Sequence, residues 1–349
     1  MGVAGAVRGR RAALGNTLAG RMLDAALVLI ILGFLLVLGT RVVDQGAGYF
    51  VQILGFGVAN GSIYALVALG YTMVYGIIEL INFAHGDVFT LGAFISIVLL
   101  PLVGLEEGKA SGVGIILPLL GVFIVTMLLC GILNVTIERV AYRPLRHAPR
   151  LAPLITAVGM SFILEGVMFL WRGPFNLHYP NLLPSDSIPL GPGTIGVKDV
   201  IVVVVTIVLV TALSLFVNRS KLGKAMRATA QDRDASELMG IDINRTISAT
   251  FFIGALLAGA GGIIFGLYYN NVVFDLGFSA GLVAFTAAVF GGIGNIQGAA
   301  LGGLIIGLIG SFWDGYFDSA WTQVMIFAIL ILVLVFRPTG LLGMRVPEK

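Results

Sequence analysis

Three ionisable side chains, Glu79, His85 and Asp87, lie in the stretch GIIELINFAHGDVFTLG (residues 76–92), between two apolar runs, together with the amide of Asn82. Ionisable groups inside apolar segments are costly to bury and commonly line a path for a polar solute. Two interpretations are open. If the stretch lies at a membrane surface, these are ordinary interfacial charges; if it lies deeper, they line a polar route.

A second polar break, GGIGNIQG (residues 291–298), holds Asn295 and Gln297, and the same two interpretations apply to it. The segments around the two breaks, residues 69–95 and 282–306, share one pattern: an apolar run, a kink with Gly and polar residues, and a Gly-spaced apolar run. Interrupted apolar segments at matching places predict an internally repeated transporter. A chance similarity in a chain with 48 Gly is the alternative.

Bond-breaking chemistry is not indicated by the sequence. It contains no phosphate-binding loop of the Walker type, no His pair at helical spacing and no Ser-His-Asp set in one aqueous region. The single cysteine, Cys130, excludes an internal disulfide and a cysteine-built metal site, and its apolar setting predicts a buried packing thiol. We expect no catalytic residue, metal or cofactor here. If transport is driven by ATP, another chain must bind it.

Composition defines the elements that position these residues. The chain has 349 residues, of which 58% are hydrophobic and 11% charged, too few charges for a water-facing surface. An all-α integral membrane protein with about eight to ten transmembrane helices is predicted. The predicted spans are residues 23–39, 49–76, 88–105, 113–137, 151–171, 200–217, 248–269, two within 280–313, and 321–336.

The distribution of Lys and Arg predicts the orientation. With ten crossings and a cytoplasmic N-terminus, 17 of the 21 basic residues fall on the cytoplasmic side. By the positive-inside rule both termini are then cytoplasmic. The net charge of +3 does not indicate a nucleic acid partner.

Two loops stand out. The outer Pro- and Gly-rich loop, Arg172–Lys198, is either a cap that faces an extracellular partner or a long turn. The inner loop, Arg219–Thr246, predicts a helix, a stop at Gly240 and the start of the next span. It could dock onto a cytoplasmic protein, lie on the membrane or be a solvated loop. Several Gly-xxx-Gly pairs, such as Gly57/Gly61 and Gly303/Gly307, predict close helix packing.

Several separate motifs resemble the permease subunits of branched-chain amino acid ABC importers. They are ANGSIYALVALGYTMVYGIIELINFAHGDVFTLGAF (59–94), LAPLITAVGMSFIL (151–164), the segment 224–266, AFTAAVFGGIGNIQGAALGG (284–303) and FRPTGLLG (336–343). The resemblance implies a bacterial cytoplasmic membrane protein that works with a second related permease, two cytoplasmic ATPase subunits and an extracytoplasmic binding protein.

The resemblance also implies roles for residues. The loop 219–247 becomes the ATPase-coupling loop, with a degenerate coupling motif formed by Asp234, Ala235, Ser236, Glu237, Leu238, Met239, Gly240 and Ile241. The substrate pathway is predicted along Asn60, Tyr64, Glu79, Asn82, His85, Asp87, Asn295 and Gln297.

The chain departs from the family pattern in two places. Residues 1–45 form an added basic segment and helix before the permease domain, 46–343, and the tail, 344–349. Asp87 stands where Glu is more often expected. Urea or short-chain amide transport is the nearest alternative function. Two others are an ion-coupled transporter that uses Glu165 and a channel, but neither gives the loop 219–246 a purpose.

Overall fold

The computed structural model describes residues 18–78, 81–106, 112–146, 148–149, 151–337 and 339–343, with side chains from residue 33 onward except those of 34, 35 and 336. The predicted N-terminal basic segment, Glu79 and the C-terminal tail lie outside the described residues.

Eleven α-helices form the described part of the chain. They are α1 (Leu18–Ile78), α2 (Ala84–Leu102), α3 (Ile116–Ile137), α4 (Leu151–Arg172), α5 (Val197–Arg219), α6 (Lys221–Gln231), α7 (Arg233–Leu238), α8 (Ile243–Tyr269), α9 (Leu276–Gly291), α10 (Ile296–Tyr316) and α11 (Thr322–Phe336). Gly46, with φ +84°, interrupts α1 between the first two predicted spans. A π turn, Glu138–Tyr142, extends α3.

The described residues include seven helices long and apolar enough to cross a membrane and two shorter apolar ones, Leu276–Gly291 and Ser319–Val335. This confirms an all-α integral membrane protein. Apolar length is what a span requires, so composition was sufficient to find these helices. The most apolar stretch of α1 is 72% buried and that of α8 78%, whereas those of α3, α4 and α5 are 22% buried. Helices α1 and α8 are therefore central, whereas α3, α4 and α5 present apolar side chains outward.

Contacts between helix ends define two ends of the bundle. At one, which we name the basic end, Arg233 contacts the last turn of α1 and Arg146 contacts Asn244 at the start of α8. At the other, the hairpin end, Lys198 contacts Asn270 after α8, and Tyr49 contacts Gly315 near the end of α10.

Small residues let α1 and α10 pack closely, as the Gly-xxx-Gly pairs predict. A Cβ on Gly307 would lie 2.2 Å from the Cα of Gly61, and one on Gly303 would lie 2.4 Å from the Cα of Ala65. Only a residue without a side chain fits such an approach of two backbones. Cys130 is fully buried, as predicted, and packs against Gly259.

The loop 172–198 is a folded structure that covers the hairpin end. Strand β2 (Ser187–Leu190) pairs with β3 (Gly193–Gly196), and β1 (Leu177–His178) pairs with β4 (Asn271–Val272). Tyr179 is fully buried and its hydroxyl lies 2.8 Å from that of Ser96. These contacts fix the loop to α2 and α8, so it is an ordered cap rather than an extended turn.

Candidate translocation site

The break between α1 and α2 reaches well into the bundle. The ring of His85, in the first turn of α2, lies 4.9 Å from the ring of Tyr71 and against Gly70. Tyr71 is seven residues before the last residue of α1, so α2 begins alongside α1 and not beyond its end. At 1.5 Å rise per residue this is about 10 Å from the end of that helix.

Asp87 lies deeper still. Its carboxylate accepts a hydrogen bond from Ser161, which is at the middle of α4, and its other oxygen faces Gly277 in the first turn of α9. Asp87 is also in the first turn of α2. Two helix N-termini therefore meet at one buried carboxylate.

The described polar residues of this stretch are buried in the bundle. His85 and Asp87 are 0% exposed, and Asn82 is also buried. Among the described residues, both ring nitrogens of His85, Nδ2 of Asn82 and Oδ1 of Asp87 have no hydrogen-bond partner. Buried polar atoms are seldom left without partners, so this cluster stands apart from the apolar interior around it.

The second break lies elsewhere. The side-chain oxygen of Asn295 caps α10 by accepting from the backbone N–H groups of Gln297 and Gly298, and its Nδ2 donates to the carbonyl of Leu342 at 2.8 Å. The side chain of Gln297 is exposed. Gly294 lies beside Gly76, so this break is at the basic end and apart from the buried cluster.

A polar network that the sequence did not reveal closes the basic end. The hydroxyl of Tyr142 donates to Oδ1 of Asn82 at 2.7 Å. The fully buried carboxylate of Glu138 pairs with Arg146 and accepts from Ser248 at 2.6 Å. Burial lowers the pKa of the Arg146 guanidinium, and the charge of Glu138 opposes that change. Since these partners are up to 110 residues apart, no local pattern could pair them.

Five of the predicted coupling residues, 234–238, lie in the short helix α7, and the other three follow it directly. Asp232 caps it by accepting from the N–H of Ala235, and Ser236 is its buried residue. Leu238 is 88% exposed and Met239 83% exposed. Asp234, Ala235 and Glu237 are exposed too.

The end of α7 and its attachment to the bundle are both defined by backbone groups. Gly240, with φ +82°, ends the turn, as predicted, and the N–H of Ile241 donates to the carbonyl of Ser236. Arg233 donates twice to the carbonyl of Ile77, at 2.8 and 3.3 Å. The exposed tip is therefore connected to the last turn of α1, just before the polar break.

At the hairpin end, a cavity of about 820 Å³ opens between α1, α5, α8, α10 and the β2–β3 hairpin. Asn60 lies on its floor, where it accepts from the hydroxyl of Tyr269 and donates to Ser311 at 3.1 Å. Tyr64 follows one turn deeper and is partly buried. The structure thus places Asn60 and Tyr64 towards the hairpin end and Asn82, His85 and Asp87 in the buried cluster.

The chain matches a family described as the permease component of branched-chain amino acid transport systems, over residues 53–334. It is 43% identical over 308 residues to the high-affinity branched-chain amino acid transport system permease protein BraD of Pseudomonas aeruginosa, a match that covers 86% of this chain and 98% of the relative. No solved structure matches it.

Two further relatives extend the comparison. LivH of Escherichia coli, a protein of the same description, is 40% identical over 312 residues, which is 86% of this chain and 98% of the relative. A probable branched-chain amino acid transport permease of Methanocaldococcus jannaschii is 28% identical over 323 residues, 88% of this chain and 93% of the relative. Together with its apolar helices, these matches make the chain a multi-pass protein of the bacterial plasma membrane, and it belongs to the permease components of branched-chain amino acid transport systems.

Proposed function

We propose that this chain provides the translocation path of an ATP-driven importer of branched-chain or other hydrophobic amino acids. The observation that carries the proposal is the exposed helix α7, because Leu238 and Met239 present large apolar side chains to solvent at its tip. A groove on an ATPase subunit would bury both side chains. The relatives named as branched-chain amino acid permeases supply the substrate class.

The distribution of charge supports the orientation. Arg146, Arg219, Arg233 and Arg245 all lie at the basic end, and basic residues are retained on the cytoplasmic side. With that end in the cytoplasm, α7 faces two ATPase subunits, which bind the ATP. The folded cap at the hairpin end then faces the extracytoplasmic binding protein.

The route runs from the hairpin-end cavity past Asn60 and Tyr64 to the buried cluster, and on to the network at the basic end. The buried cluster gives the charged ends of an amino acid polar partners inside an apolar bundle, where they would otherwise be unsatisfied. Glu79, Asn295 and Gln297 are proposed at the cytoplasmic exit. We infer that the hydrogen bond between Tyr142 and Asn82 and the ion pair of Glu138 and Arg146 close that exit.

The proposed docking of an ATPase on α7 is tested by affinity purification of the tagged chain. The chain is purified from its native membrane in mild detergent, and its partners are identified by mass spectrometry. We expect a second permease and an ATPase with the parent, and no ATPase with Glu237→Lys, whose exposed side chain lies on α7. Asp186→Lys, an equal charge reversal at the hairpin end, is the control and should retain the ATPase. If both variants retain the ATPase, the docking site lies elsewhere.

The proposed substrate class is tested by uptake into proteoliposomes that contain the purified complex and its binding protein. Leucine, isoleucine and valine should accumulate only when ATP is enclosed on the cytoplasmic side. Uptake of urea or butyramide in place of these amino acids would overturn the substrate assignment and leave the importer assignment intact.

A further inference from the structure

We propose that the hairpin-end cavity is the site where the permease receives its substrate, with Lys198 binding the α-carboxylate and Asp314 binding the α-ammonium group. This inference rests on the proposed function and adds to it a site with defined charges. The cavity of about 820 Å³ lies within the usual range for small-molecule sites, about 300–1,000 Å³.

Lys198 is held in place but not neutralised. Its ammonium group donates to Oδ1 of Asn181 at 2.8 Å and to Oδ1 of Asn270 at 3.0 Å. Both partners are uncharged amides, and the ion pairs found among the described residues do not include this lysine. An ammonium group has three protons, so one donor and the whole positive charge remain available to an anion.

Asn270 explains how the lysine is positioned. It ends α8 in the left-handed conformation, with φ 56°, and its backbone N–H donates to the carbonyl of Gly266. Its Nδ2 donates to the carbonyl of Tyr179 in the cap, which leaves Oδ1 directed at Lys198. The cation is therefore fixed by the fold before a substrate arrives, which lowers the entropic cost of binding.

The carboxylates of the cavity are not equivalent. Both oxygens of Asp199 are used, because Oδ1 accepts from Tyr268 at 2.7 Å and Oδ2 accepts from the N–H of Gly196 at 3.0 Å, which caps α5. Asp314 is exposed to the cavity and accepts from Thr322 through Oδ1. Among the described residues, no hydrogen bond to its Oδ2 is found, so Asp314 rather than Asp199 is assigned that role. A third carboxylate, Asp186, lies just before β2 in the cap, whereas Asp314 lies one turn along α10 from Ser311 on the floor.

The remaining walls suit an aliphatic side chain. Ile53, Phe56 and Tyr49 line the α1 side of the cavity. Its floor is the hydrogen-bonded chain from Tyr269 through Asn60 to Ser311, which joins α8, α1 and α10. A zwitterion with an apolar side chain could thus be held above this floor until the chain of hydrogen bonds opens.

A cysteine-protection measurement tests the site directly. In the complete importer with Cys130→Ala, a Ser311→Cys substitution puts one thiol on the cavity floor. We expect leucine-loaded binding protein to slow its alkylation by at least about fivefold, and the protection to disappear when Lys198→Gln is added. Unchanged labelling of the parent thiol by loaded binding protein would overturn the assignment.

Transport by single variants provides the second measurement. Charge-assisted hydrogen bonds contribute about 1.5–3 kcal/mol, so Lys198→Gln and Asp314→Asn should each lower leucine uptake by about tenfold or more. The ATP hydrolysis stimulated by loaded binding protein should stay within about twofold of the parent. Arg172→Gln, which removes another cation of the hairpin end outside the cavity, should transport like the parent.

The two measurements separate the two proposals. If the parent complex does not transport leucine, the proposed function fails. If the parent transports leucine while both charge variants match its uptake rate, only the cavity assignment fails. Should Lys198→Gln not assemble, protection of the Ser311→Cys thiol in the otherwise parental complex still tests whether the substrate enters the cavity, and the uptake rate of Asp314→Asn still tests the charge assignment.

Discussion

Asp87 is held where two helices begin, and its surroundings leave little room for change. Its Oδ1 would lie 2.5 Å from a Cβ on Gly277, and its Cα would lie 2.7 Å from the same atom. The polar residues of the buried cluster, Asn82, His85 and Asp87, could be recognised in the sequence because they interrupt an apolar stretch. Ser161 and Gly277 could not, because a serine or a glycine in a membrane helix is unremarkable until its partner is known.

We therefore expect Gly277→Ala to destabilise the fold. An extra methyl group in a packed interior costs about 1–3 kcal/mol, and here it meets backbone and a carboxylate that cannot withdraw. Gly121→Ala in α3 is the matched control, since a Cβ there has nothing within 4 Å. Thermal unfolding in detergent should show a lower melting temperature for Gly277→Ala only. Equal melting temperatures would mean that the junction of α2 and α9 is looser than the structure shows.

At the scale of elements, the side chain of Arg233 joins α7 to α1. Arg233 donates two hydrogen bonds to the carbonyl of Ile77, one of the terminal carbonyls that an α-helix leaves without an internal partner. A cation at this position also complements the helix dipole. The helix, the stop at Gly240 and the following span were predictable from local patterns. The link to α1 was not, because it joins residues 156 positions apart.

Substitution of Arg233 should uncouple ATP hydrolysis from transport. We expect Arg233→Ala to retain ATP hydrolysis while the amount of leucine moved per ATP falls by about tenfold, as the loss of a charged hydrogen bond of about 1.5–3 kcal/mol implies. Arg233→Lys keeps the charge but not the two-donor fork, so an intermediate ratio is expected.

Arg245→Ala is the matched control for this experiment. Its side chain is 89% exposed and pairs with Asp242 at the surface, where such pairs contribute little. It should leave the ratio of transport to ATP hydrolysis unchanged. An unchanged ratio for Arg233→Ala as well would exclude this arginine as the mechanical link.

For the whole molecule, the sequence was most informative about the number and kind of helices, because each span carries its own apolar signal. The sequence was least informative about how deep in the bundle each helix begins. That α2 begins beside Tyr71 rather than at a surface, and that α9 begins beside Asp87, follows from packing among four helices, α1, α2, α4 and α9. The cap at the hairpin end was likewise undetermined, since its order comes from Tyr179 and Asn270 rather than from its own composition.

Orientation is the prediction that belongs to this scale. In a Cys130→Ala background, a membrane-impermeant maleimide should label Ser185→Cys at the hairpin end in intact spheroplasts. It should label Gln231→Cys, at the end of α6, only in inverted vesicles. Both positions are exposed, so access and not burial determines the result. The reverse pattern would invert the proposed topology and place α7 outside the cell.

The exposed tip of α7 also has a consequence for biosynthesis. If α7 docks onto an ATPase as proposed, a copy of this chain without that partner exposes Leu238 and Met239 beside Gly240, whose φ is +82°. Exposed loop tips are where proteases cut, and exposed methionine sulfur is open to oxidation. Assembly would hide all three. Cells that make this permease without its ATPase should therefore clear it faster, and a cleavage or sulfoxide at this tip would mark the unassembled copies.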